Sequence, residues 1–117
     1  MTSSPIACDM TAIPADQRPV HITTSKDLFS RIAEFRELDN GYAFRFTDGP
    51  DLLVKLAEFI SLEKLCCPFL SFVVEVEGEG GPVWLRLTGR EGVKAFIREE
   101  IGGLLGQAIV WDNQQKS

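Results

Sequence analysis

A chain of 117 residues with 44% hydrophobic content is long enough to close one core and too short for two ordinary domains. Its net charge of −5 and pI near 4.8, with lysines and arginines scattered along the chain, exclude the dense basic face of a nucleic-acid binder. No run approaches the roughly 18 apolar residues of a membrane span, and the Met-Thr-Ser-Ser start lacks the basic and apolar regions of a signal peptide, so the expectation is a soluble cytoplasmic protein.

Residues 1–19 are rich in Ser, Thr and Pro, yet they carry Ile6, Met10 and Ile13, more apolar weight than a disordered tail holds. They predict an extended arm lying on the domain and bringing Cys8 with it. A helix from Val20 to about Arg31 follows, with Leu28, Phe29 and Ile32 inward and Thr24 or Ser25 as its cap. His21, the only histidine, stands at its start and reads as filler before it reads as a ligand or base.

Ala33–Leu38 and Tyr42–Thr47 flank Asp39-Asn40-Gly41, whose Asn-Gly pair favours the positive φ of a tight hairpin. Tyr42, Phe44 and Phe46 alternate with polar or small neighbours, as in a sheet with one buried face. Asp48-Gly49-Pro50-Asp51 starts a helix, with Asp48 or Gly49 as its cap and Pro50 in its first turn, that runs to the paired cysteines, where Pro68 turns the chain. A second hairpin pairs Phe69–Glu77 with Pro82–Thr88. Thr88-Gly89-Arg90-Glu91 has capping-box spacing, and Val93, Phe96, Ile97, Ile101 and Leu104 recur at helical intervals until Gly102, Gly103 and Gly106 end the helix. The tail 107–117 offers Ile109-Val110-Trp111 as a loose contact or edge strand.

Phe44-Arg45-Phe46-Thr47 and Leu85-Arg86-Leu87-Thr88 match at an offset of 41 residues, each before a glycine-containing turn and an amphipathic helix. Two ββα units, about 33–67 and 69–105, within one domain spanning 20–106, therefore predict an α+β fold: a four-stranded antiparallel sheet with helices on one face. A pseudo-twofold axis would relate the two units, and Arg45 and Arg86 fall on the outer face unless one turns inward to neutralise Glu63.

The chemistry gathers in Glu63-Lys64-Leu65-Cys66-Cys67-Pro68-Phe69. On a helix, Cys66 and Cys67 lie three and four residues beyond Glu63, so the three side chains share a face with Leu52, Leu53, Leu56, Phe59 and Ile60. A carboxylate there needs a partner, a proton or a cavity. Three cysteines, an odd number with two adjacent, form no secreted disulfide framework and are expected to be reduced. Cys66 and Cys67 read either as small core hydrophobes or, with Cys8 as a third sulfur and Glu63 beside them, as a site for a soft metal or metalloid ion. Zinc would need all three cysteines plus His21 or Glu63. A nucleophilic or redox role is disfavoured, because the C-terminal end of a helix and a neighbouring carboxylate both oppose a thiolate.

Glu63–Phe69, with Ile6-Ala7-Cys8 before it and Gly81-Pro82-Val83-Trp84-Leu85-Arg86-Leu87-Thr88-Gly89 after it, resembles a group of small uncharacterised bacterial proteins that share the Cys-Cys-Pro-Phe core and the hairpin. The resemblance spans Ile6 to Ile101 and implies the segmentation without implying an activity. The preferred reading is thiolate binding of a soft ion by Cys8, Glu63, Cys66 and Cys67. The alternative is a non-catalytic interaction or homodimerisation module whose cysteines are core.

Overall fold

The computed structural model describes residues 5–105, in the order α1 (Arg18–Phe29), β1 (Ile32–Leu38), β2 (Gly41–Phe46), α2 (Leu52–Cys66), β3 (Ser71–Val76), β4 (Val83–Thr88) and α3 (Val93–Leu105). The strands form one antiparallel sheet in the order β1-β2-β4-β3, the arrangement expected of two ββα units placed back to back. Phe44 pairs across the β2–β4 seam with Leu85, the residue that the repeat makes its equivalent. A twofold axis through that pair exchanges Arg45 opposite Trp84 with Arg86 opposite Ala43. The helices obey the same relation, since α2 begins at Leu52 and α3 at Val93.

Period-two alternation sends Tyr42, Phe44, Phe46, Leu85 and Leu87 to the helix side, where all are buried. Phe29 of α1 is the hub, with ring centroids 5.8 Å from Phe44, 5.8 Å from Phe46 and 5.2 Å from Phe59 of α2. Burying each such side chain contributes about 1.5–3 kcal/mol, so this aromatic cluster outweighs the ion pairs of the outer face. There Arg45 pairs with Glu34 at 3.0 Å, Arg86 with Glu75 at 2.6 Å, and the Arg36 guanidinium sits 4.9 Å over the Trp84 ring. On β3 the burial fails: Val74 and Val76 face the helices by register yet are 38% and 55% exposed. β3 is an edge strand, and the helical layer ends before it reaches that edge.

Several local expectations are corrected. The arm is not extended throughout; Met10–Ala12 and Ala15–Gln17 are 3-10 turns. Helix α1 starts at Arg18, with Pro19 tolerated in its first turn, so Thr24 and Ser25 are buried helix-interior residues rather than caps. The Ser25 hydroxyl donates instead to the His21 carbonyl at 2.7 Å. Ile32 opens β1 rather than closing the helix, α2 begins only at Leu52 with Asp51 rather than Asp48 or Gly49 at its N-cap, and Leu53, expected on the buried face, is 49% exposed. Thr88 remains in β4, so no capping box forms, and α3 begins five residues later and passes through Gly102 and Gly103 to Leu105. Gly106 and the tail from Gln107, with its expected edge strand, lie outside the described residues.

Asn40 and Gly41 do not adopt positive φ; among the described residues Glu79, Gly80 and Gly92 do. Gly41 is needed for a different reason. It is the first residue of β2, facing Thr88, and a Cβ there would lie 1.9 Å from the Leu87 carbonyl oxygen. Gly41→Ala is therefore expected to force the β2–β4 ladder apart and to destabilise by about 1–3 kcal/mol or more, read as a lowered urea midpoint.

Candidate metal centre

Helix α2 ends where its chemistry begins. Pro68 disfavours helical backbone at the residue before it, and Cys67 accordingly leaves the helix at φ −130° and ψ 67° while its N–H still donates to the Glu63 carbonyl at 2.8 Å. That break turns two adjacent side chains to one side: the sulfurs of Cys66 and Cys67 are 3.7 Å apart and both residues are fully buried. The Glu63 carboxylate spans them, with Oε1 3.5 Å from Cys66 Sγ and Oε2 3.4 Å from Cys67 Sγ.

The arm supplies the third sulfur. Ile13 is fully buried, Ile6 and Met10 pack on the core, and the Asp9 N–H donates to the Cys66 carbonyl at 3.0 Å, satisfying one of the carbonyls a helix end leaves open. Arg18 clamps the same segment, its Nε lying 2.9 Å from the carbonyls of both Met10 and Ile13. The result places the sulfurs of Cys8, Cys66 and Cys67 within 4.8 Å of one another. Three sulfurs bonded to one ion at about 2.3 Å stand roughly 3.5–4.0 Å apart, so the cluster closes on an ion with a contraction of at most about 1.3 Å. Arg18→Ala is expected to loosen the arm, raising the reaction rate of Cys8 with a bulky thiol reagent while leaving Cys66 and Cys67 protected.

The partner of Glu63 is His21, not Arg45 or Arg86, both of which stay on the outer face. His21 Nε2 lies 2.8 Å from Glu63 Oε1, with the two side chains 4% and 15% exposed. The imidazole stacks on Phe59 at 5.7 Å and 18°, and its Nδ1 is buried with no hydrogen-bond partner. Burial opposes protonation of His21, but the hydrogen bonds and charges of Cys66 and Glu63 outweigh it and raise the group to about 9. His21, Glu63 and Cys66 thus form a second donor set, again within 4.8 Å of one another. The sequence reading treated His21 as filler. The signal it passed over is that a core-facing Glu63 needs a counter-ion and the chain has a single histidine.

The sulfurs are not equivalent. Cys66 is lowered to about 6, first by the hydrogen bond from Cys67, then by His21 and Cys8, against burial and the Glu63 charge. Cys67 is raised by its bond to Cys66, by burial and by Glu63, while burial first and then Cys66 push Cys8 up to about 12. The expectation of poor thiolates is corrected at Cys66, where the hydrogen bonds from Cys67, His21 and Cys8 outweigh burial and the Glu63 charge. One thiolate flanked by two neutral thiols is a nucleophilic sulfur with two further ligands beside it.

An apolar cavity of about 140 Å³ adjoins the centre, touching Cys8, His21 and Glu63 and walled by Phe29, Phe59, Phe96 and Ile97. No helix among the described residues is long and apolar enough to cross a membrane. Compared with protein-family models, curated proteins and solved structures, the chain matches none of them.

Proposed function

We propose that this protein binds a soft, thiophilic ion, of which trivalent arsenic and divalent mercury are the best-fitting members, through Cys8, Cys66 and Cys67. The observation that carries the reading is the convergence of all three cysteines of the chain, from an arm and a helix end 58 residues apart, within 4.8 Å. Sulfur-only donor sets select soft ions, and zinc would have to take its fourth ligand from His21 or Glu63, which are bonded to each other at 2.8 Å. Core filling alone gives no reason for a buried carboxylate and imidazole to stand against the sulfurs, since apolar neighbours would be cheaper to bury. The Cys66 thiolate makes the first bond. The hydroxyl that it displaces leaves as water with a proton from the His21 imidazolium or solvent, and Cys67 and Cys8 then each pass their own proton to a departing hydroxyl, with the Glu63 carboxylate placed to relay the one from Cys67.

The test is titration of the anaerobically reduced chain with arsenite at several pH values. Expected are one equivalent bound, Cys8 withdrawn from reaction with a bulky thiol reagent, and affinity that is level below about pH 6 and falls as pH rises above it, because each arsenic-bound hydroxyl leaves as water and a Cys66 already deprotonated has no proton to give. No arsenic bound and a Cys8 that stays reactive at saturating arsenite would leave the cysteines as core. The homodimerisation reading gains no comparable support from the buried sulfurs.

A further inference from the structure

We infer that the arsenical this centre takes carries one organic group of benzene size, with arsenic held by two of the sulfurs and the group seated in the adjoining cavity. The inference rests on the three-sulfur reading and names its ligand more closely. Inorganic arsenite presents three hydroxyls and has no use for an apolar room. The cavity nevertheless touches Cys8 and holds about 140 Å³ between Phe29, Phe59, Phe96 and Ile97. An apolar cavity of roughly 150 Å³ in a protein core stays dry and accepts benzene. Filling it with an aromatic ring would regain the dispersion contacts that its walls lack.

Charge points the same way. No lysine or arginine lines the cavity among the described residues, and Glu63 and Glu100 both do, so an anionic pentavalent arsenical is repelled. A trivalent aryl arsenical is neutral as its dihydroxide. Binding is ligand exchange: for each arsenic–sulfur bond formed an arsenic–oxygen bond breaks and a water leaves, its added proton coming from the thiol itself or, where Cys66 takes part as the thiolate, from the His21 imidazolium or solvent. Two waters are released in all, the arsenic–carbon bond stays intact, and arsenic keeps its oxidation state, so no electron donor or acceptor is required.

The experiment measures dissociation constants of arsenite and of phenylarsine oxide for the full reduced chain and for Ile97→Phe, whose larger side chain occupies the cavity away from the sulfurs. Each value is taken relative to the same compound's affinity for dithiothreitol. The native chain is expected to favour the phenyl compound at least about tenfold on this scale, and Ile97→Phe to lose that preference while binding arsenite as before. A naphthyl arsenical, too large for the cavity, is expected to bind the native chain at least about tenfold more weakly than the phenyl one, which decides the matter should Ile97→Phe not fold. Tight arsenite binding with no preference for phenyl, or naphthyl bound as well as phenyl, overturns this inference and leaves the three-sulfur centre standing. Binding of neither arsenite nor phenylarsine oxide overturns the centre itself.

Discussion

Cys8→Ser, Cys66→Ser and Cys67→Ser are each expected to weaken arsenite binding by about a hundredfold or more, roughly 2.7 kcal/mol or above. Outer-shell changes at metal centres already cost about 10–100-fold, so removal of a direct ligand belongs at or beyond the top of that range. Cys8 is the decisive member. Cys66 and Cys67 are fully buried, and a hydroxyl in place of either thiol also costs about 1–3 kcal/mol of stability unless it finds a partner, which complicates the reading of lost affinity. Cys8 is only partly buried on the arm, so its substitution leaves the fold nearly unchanged and isolates the ligand effect. Urea unfolding of the three variants separates the two contributions. A Cys8→Ser chain that binds arsenite as tightly as the native one would reduce the centre to a vicinal pair.

Glu63→Ala is expected to destabilise the domain by about 1–3 kcal/mol near neutral pH, because it strips a buried imidazole of its charged partner. The pH dependence follows from His21. Its folded pKa, about 9, stands above the ordinary histidine value of 6.5, so the stability it contributes is full below about pH 6.5 and is lost as pH rises through about 9. The penalty of Glu63→Ala should therefore shrink between pH 7 and pH 9.5, as His21 gives up its proton in the native chain. Urea midpoints at those two pH values provide the measurement. An equal penalty at both would mean that the pair acts as a neutral hydrogen bond rather than an ion pair. His21→Phe, which keeps the stacking on Phe59, should leave Glu63 buried without a cation and show a penalty of similar size at pH 7.

How much of this was legible beforehand can be traced residue by residue. The apolar stripe of α2 put Glu63, Cys66 and Cys67 on one face, and helical periodicity is enough for that. Ile6, Met10 and Ile13 marked an arm that would pack, and packing brought Cys8 to the sulfurs. The 41-residue repeat implied two ββα units and a four-stranded sheet, while the strand order that sets β2 against β4 came only with the structure. What stayed hidden was long-range or geometric. His21 lies 42 residues before Glu63 on a helix whose Pro19 and threonines mask its periodicity, so nothing local announced the pair. The acidity of Cys66 depends on thiols and an imidazole brought together only by folding, while the visible local features, helix end and carboxylate, argue the other way. Gly41 looked like a turn residue, whereas its requirement comes from a strand more than 40 positions away, Leu87 of β4.

Arsenic K-edge X-ray absorption on the one-to-one complex with inorganic arsenite, prepared without oxygen or added thiols, counts the ligands of the bound ion directly. Three sulfurs from Cys8, Cys66 and Cys67 predict three arsenic–sulfur distances near 2.3 Å with no oxygen in the first shell, and a drop to two sulfurs plus one oxygen in Cys8→Ser. A native complex with fewer than three sulfurs around arsenic, or a Cys8→Ser spectrum identical to the native one, would contradict the account.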